Sequence, residues 1–312
     1  MKNVLAEEQI RAKNGDISNH AFEELYFRLR EKEEKSFLGS MSLRSRQRLH
    51  SLVLLIYTIK NHLNGFHFEV IDDKRKSHVS RPVIFAVTHI GKFDIELVGE
   101  AIKEHYYLLS GDYEHLQGTV DSKFLNINGV IYFNETVKYD RASVVKKMIN
   151  HLNDGGNLMY FPEGTWNLTP NLPVIPLYWG VVDIAKKGHA IIVPIAVEQY
   201  EKRFVINIGD NFDVKKYLDK KECINCLTDI LSTLKWEIWE QECAKREEVS
   251  PNYWKVYINN RLSEWPYFNL EYIEGLTYKP KGLVKKTEAF AHLDCINPNI
   301  NNAFLFNKRN HN

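Results

Sequence analysis

Apolar positions recur at helical spacing near the start of the chain. In NHAFEELYFRLREKEEK, Phe22, Leu25, Tyr26 and Leu29 lie three or four residues apart, behind Ser18 or Asn19 as an N-cap; this predicts an amphipathic helix. A second helix is expected after Ser42, with Leu49, Leu52, Val53, Ile56 and Leu63 as its apolar face and the basic run Arg44-Ser45-Arg46-Gln47-Arg48 before it. After Gly65 the period changes to short β-branched and aromatic runs, predicting strands at Phe66–Ile71, Val83–Thr88, Tyr106–Ser110, Val130–Phe133, Asn157–Phe161, Ile191–Val197 and Phe204–Ile208. Helices are expected at Ile95–Lys103, Arg141–Asn153 and Val181–Lys187, which makes an α/β sheet with crossover helices. Beyond about residue 210 the strand signal fades. Cys223–Lys245 and Tyr253–Leu262 read as helices, and the tail from Pro280 reads as loop or docked extension. Three segments follow: amphipathic helices over 1–65, an α/β core over 66–210 and a helical extension over 211–312.

Composition narrows the function classes. A hydrophobic share of 44% over 312 residues is ample for a large core. Lys and Arg (41) nearly balance Asp and Glu (40), so no global field argues for a nucleic-acid partner. No apolar run reaches the roughly 18 residues that a spanning helix needs, and MKNVLAEEQIRAKNGD has no signal-peptide core. A cytoplasmic protein is expected. The basic run beside the second helix is either a solvated face or a contact for anionic headgroups, the latter giving a peripheral place on the inner membrane surface. Four cysteines, at 223, 226, 243 and 295, do not form a secreted framework, and the Cys223–Cys226 pair falls in a helix-like stretch, where packing is the simpler role.

Four passages carry chemistry. VIFAVTHIGKFDIELVGEAI ends a strand at Thr88, follows it with His89, and places Asp94 where a helix begins. A histidine at the carboxyl end of a sheet strand stands where open α/β sheets bind ligands. The second passage is NINGVIYFNE, around Gly129. The third is NLMYFPEGTW, where the strand ends in Phe161 and turns through Pro162, Glu163 and Gly164 to Thr165. The fourth, AIIVPIAV, holds Pro194 inside a strand, which suggests an edge or a bulge.

In this order the passages resemble the four motifs of the lysophosphatidic acid and glycerol-3-phosphate acyltransferase family, over roughly residues 80–200. The resemblance implies a mixed sheet flanked by helices and transfer of a fatty acyl group from coenzyme A or acyl carrier protein to a lysophospholipid-like hydroxyl. His89 and Asp94 are the implied catalytic pair. Gly129, Phe161, Pro162, Glu163, Gly164, Thr165 and Pro194 are the implied substrate-binding residues. No permanently bound cofactor and no metal are implied.

The sequence departs from the family at two places. Arginines that grip a phosphate commonly end the second motif and follow the FPEGT string, and here those positions are Glu135 and Trp166. Arg141, Lys138 or Lys92 could replace the grips. Alternatively the acceptor carries no phosphomonoester, being a polyol, a glycolipid or an amine, or the second motif aligns differently. Trp166 offers an apolar wall to the acceptor or packs against the Pro170–Pro176 loop. A non-catalytic lipid-binding protein of the same fold is a further alternative.

Overall fold

The computed structural model describes residues 21–29, 41–76, 80–111, 120–134, 138–169, 172–241 and 252–279. Glu135 and the tail from Pro280 lie outside these residues. Residues 21–29 are helical, with Phe22 buried against Tyr139. Helix α1 (Leu43–Leu63) leads into β1 (His67–Asp73), β2 (Val83–Val87), α2 (Asp94–Ile102), β3 (Tyr107–Ser110), α3 (Val120–Asn128) and β4 (Val130–Tyr132). There follow α4 (Lys138–Asn153), β5 (Leu158–Tyr160), α5 (Gly180–Lys187), β6 (Ile191–Tyr200), β7 (Arg203–Ile208), α6 (Lys220–Gln241), α7 (Tyr253–Ser263) and α8 (Leu270–Leu276).

The seven strands form one sheet in the order β1-β7-β6-β2-β5-β3-β4. β6, β2, β5, β3 and β4 run parallel, β7 is antiparallel to β6, and β1 is parallel to β7. The sheet is therefore mixed. Every residue of β2 is buried, as a central strand covered on both faces requires. One face packs Ile84, Leu158 and Ile192 against α4, α5 and α6, and the other packs Phe85, Met159 and Val193 against α2. β2 connects outward across β5 to β3, while β5 connects back across β2 to β6. Adjacent strands whose connections leave on opposite faces open a crevice at their carboxyl ends.

Each predicted strand overlaps an observed one, and α3 falls in a stretch to which the sequence pattern gives no helix. Two expectations are corrected. Pro194 lies in an interior strand, since β6 pairs with β2 through Ala86↔Pro194 and with β7 from Ile195 onward. The Pro194 carbonyl accepts the Gly209 N–H at 2.9 Å, just past the end of β7, so its missing donor faces a point where the ladder has stopped.

The second correction concerns α1, which starts at Ser42 as expected, the Ser45 N–H bonding the Ser42 hydroxyl. It buries Arg46, His50, Val53, Tyr57 and Asn61, and leaves Leu52, Leu55, Ile59 and Leu63 more than half exposed. Polar bonding turned the helix this way. Arg46 donates to the Asn126 and Ile127 carbonyls, His50 bonds Asn128, and Asn61 and Thr58 donate to Glu100. No described helix is long and apolar enough to cross a membrane.

Candidate active site

The crevice between β2 and β5 brings the His-x4-Asp and FPEGT passages together. His89 leaves β2, and its backbone is held at both ends: its N–H donates to Glu163 Oε1 at 3.0 Å and its carbonyl accepts the Asn167 N–H at 2.7 Å. The imidazole Nδ1 lies 2.8 Å from Asp94 Oδ2. Asp94 is fully buried, and the same oxygen accepts the N–H groups of Ile90 at 2.9 Å and Gly91 at 3.2 Å. A carboxylate so placed fixes Nδ1–H as the donor and leaves Nε2 as the basic nitrogen. Asp94 thus turns back on its own loop instead of capping α2, whose N-cap Phe93 makes no side-chain cap bond.

Glu163 reaches no solvent. Its second oxygen accepts the Ile175 N–H at 2.9 Å, so one carboxyl ties the histidine loop to the 172–179 segment. Burial pushes its pKa up to about 7, against the lowering effect of the Ile175 and His89 N–H groups, Lys235 and His89. Gly164 has φ +73°, and a Cβ there would lie 2.5 Å from the Tyr178 ring; Tyr178 N–H in turn bonds the Pro162 carbonyl at 2.8 Å. The turn is thereby fixed against its neighbours, at a backbone angle that glycine adopts most readily.

His89 opens on a cavity of about 750 Å³, lined largely by apolar groups across the carboxyl ends of β2, β5, β3 and β4. The His89 ring stacks on Phe161 with centroids 4.1 Å apart and meets Trp166 edge-on at 6.1 Å. Leu109, Phe133, Val145, Met148 and Ile184 line its walls, and Lys92 and Arg141 add two cationic side chains. Thr165 also lines it, with a buried hydroxyl that has no hydrogen-bond partner.

Among the residues singled out from sequence, His89, Phe161, Gly164 and Thr165 meet in this cavity, and Asp94 and Glu163 stand behind it. Gly129 and Pro194 do not line it. Gly129, at φ +125°, instead allows the Tyr107 ring to approach to 2.2 Å of where a Cβ would sit.

Trp265, Phe268, Tyr272, Gly275 and Leu276 of the carboxyl-terminal segment form another part of the wall. Nothing in the motif pattern announces them beyond the aromatic density of that stretch. Trp166 is 4% exposed and packs on Phe268 at 4.9 Å, in a cluster with Leu168, Trp265 and Ile273. The Tyr178 hydroxyl donates to the Leu276 carbonyl at 2.7 Å, fastening the far end of α8 to the same loop.

The Acyltransferase family profile matches residues 67–198, the span from β1 to the last residues of β6. The α/β core belongs to the acyltransferase family. A solved structure of similar fold is the 1-acyl-sn-glycerophosphate (LPA) acyltransferase PlsC from Thermotoga maritima. It is 15% identical, with a TM-score of 0.54 over 71% of this chain and 96% of that one. No curated protein sequence matches the chain. The acyltransferase match ends at residue 198, so α6, α7 and α8 lie outside it.

Cys223 and Cys226 lie on α6 with free thiols. Cys223 is buried in the core, which pushes its pKa up to about 11 and keeps it a protonated thiol at neutral pH. No group of His, Cys, Asp or Glu among the described residues is arranged to hold a metal ion.

Proposed function

We propose that this acyltransferase moves a fatty acyl group from a coenzyme A or acyl carrier protein thioester to a hydroxyl of a lysophospholipid-like acceptor. The observation that carries the reading is the His89–Asp94 pair at 2.8 Å on the wall of a largely apolar cavity large enough for an acyl chain. His89 Nε2 takes the acceptor hydroxyl proton as the oxygen attacks the thioester carbonyl, and Asp94 stabilises the imidazolium that forms. Collapse of the tetrahedral intermediate expels the thiolate, which takes the proton back from the imidazolium. No acyl-enzyme is required. The unpartnered Thr165 hydroxyl is a candidate donor to the reacting oxygens.

An anionic acceptor is supported by Lys92 and Arg141, which line the same cavity although Glu135 and Trp166 occupy the usual arginine positions. The phosphate-free alternative is favoured by the burial of Trp166 in an aromatic cluster, where a family arginine would face the acceptor. Attachment to an anionic membrane surface is supported by the outward Leu52, Leu55, Ile59 and Leu63 of α1, near exposed Arg44 and Arg48.

The test supplies acyl-CoA or acyl carrier protein with a panel of acceptors and follows free thiol release. Acceptor-dependent release lost in His89→Ala is expected. Release without acceptor would make the protein a thioesterase, and lipid binding without turnover would make it a binding module. The ratio of rates with lysophosphatidate and a phosphate-free analogue selects between the two acceptor readings.

A further inference from the structure

The carboxyl-terminal segment does more than wall the cavity. Glu264, which closes α7, lies against the back of the His-x4-Asp loop. Its Oε1 pairs with Arg261 Nη1 at 2.9 Å, the two side chains being 13% and 8% exposed. Its Oε2 faces Gly91, where an added Cβ would sit 3.2 Å from it and 3.6 Å from Gln199 Oε1. A side chain at the third residue of the motif would press on Glu264, which would have to give by a few tenths of an ångström.

The Lys92 N–H and the Gln199 side chain both act on the Glu264 carboxyl as hydrogen-bond donors, so its contacts run to the loop and to β6 together. Burial raises the Glu264 pKa and the charge of Asp94 adds to this, while Arg261, the Lys92 N–H and the Gln199 side chain act to lower it. The next residue, Trp265, holds the Lys92 ammonium 5.2 Å from its ring centre, so two consecutive residues engage two consecutive positions of the loop.

We infer that Glu264 is a positioning residue for the His89–Asp94 pair, a latch from outside the family-matched segment that holds Gly91 and Lys92 so that Asp94 keeps its bond to the imidazole. It touches no substrate. Its effect is on how well the pair is aligned, and so on turnover rather than on donor binding. The inference rests on the acyl-transfer reading for its kinetic arm only.

Wild type, Glu264→Leu and Glu264→Gln are compared as full chains by acyl-CoA turnover and by amide hydrogen exchange. Glu264→Leu, similar in volume but apolar, is expected to lower kcat at least tenfold with the KM for acyl-CoA within twofold. It should also speed exchange at Ile90, Gly91 and Lys92 while β2 and β5 stay protected. Glu264→Gln, which keeps the size and an acceptor oxygen, is expected to stay within threefold of wild-type kcat. A kcat for Glu264→Leu within twofold of wild type overturns the inference, as does a rise in KM alone or unchanged exchange in the loop. If Glu264→Leu does not fold, Glu264→Asp takes its place, and an unchanged kcat and exchange in that variant overturn the idea equally. Should wild type transfer no acyl group to any acceptor, the functional reading fails by itself and the exchange arm alone judges the latch.

Discussion

Glu163 accepts the backbone N–H of His89 at 3.0 Å, so the glutamate of the FPEGT turn holds this histidine by its main chain and not by its ring. The same carboxyl holds Ile175, and removing it frees two buried N–H groups at once. Glu163→Ala is expected to cost ~2–4 kcal/mol of stability and to lower kcat more than tenfold. Urea unfolding and steady-state kinetics check both.

The same residue predicts a pH dependence. A carboxyl with a folded pKa of about 7 and an ordinary value of 4.5 keeps its proton longer in the folded chain. Stability therefore falls as pH rises from 4.5 to 7, by on the order of 3 kcal/mol, and is level above that. The urea midpoint of wild type relative to Glu163→Gln should fall between pH 5 and pH 7.5. Parallel midpoints would show that Glu163 is not the titrating group.

Two histidines act in the opposite direction. Burial, chiefly, lowers His105 and His151 to about 4, with Nε2 of each bonded to a backbone carbonyl, that of Asn128 and of Asn157. The unfolded chain then binds protons first, so stability contributed by the neutral rings is present above pH 6.5 and is lost as pH falls towards 4. The double variant His105→Gln and His151→Gln should flatten the acid side of a midpoint-against-pH curve, and a slope equal to that of wild type would refute this.

Asp94→Asn tests the proposed catalytic pair. An amide at this position cannot accept from Nδ1–H, Ile90 N–H and Gly91 N–H through one charged oxygen, and it releases the imidazole tautomer. Turnover should fall at least a hundredfold. Retention of more than a tenth of wild-type kcat would remove Asp94 from the mechanism.

Trp166→Arg would place a charge in the cluster formed with Trp265, Leu168 and Ile273. The expected result is a lower melting temperature and no gain with phosphate acceptors, whereas Trp166→Ala should cost ~3 kcal/mol. A faster reaction with lysophosphatidate in Trp166→Arg would show that this wall tolerates rebuilding.

The strands were legible because each is an apolar run between turn residues, and β2 and β5 deliver His89 and Phe161 to neighbouring strand ends. Their order in the sheet was not, since pairings such as Phe85↔Val193 join residues far apart in the chain. Helix α3, VDSKFLNIN, is too polar to stand out from a loop. The role of Glu163 was hidden because its partners, at positions 89 and 175, are set by tertiary folding. Trp265 and Glu264 were missed for the same reason, lying beyond the motifs whose loops they touch.

Helix α1 meets the core through Val53 and Tyr57 as well as Arg46, His50, Thr58 and Asn61, and turns Leu52, Leu55, Ile59 and Leu63 outward. Detaching it would uncover few apolar side chains of its own for a helix of 21 residues, chiefly Val53 and Tyr57. Calorimetry should then find a heat capacity that rises modestly when α1 lets go and climbs steeply when the sheet melts.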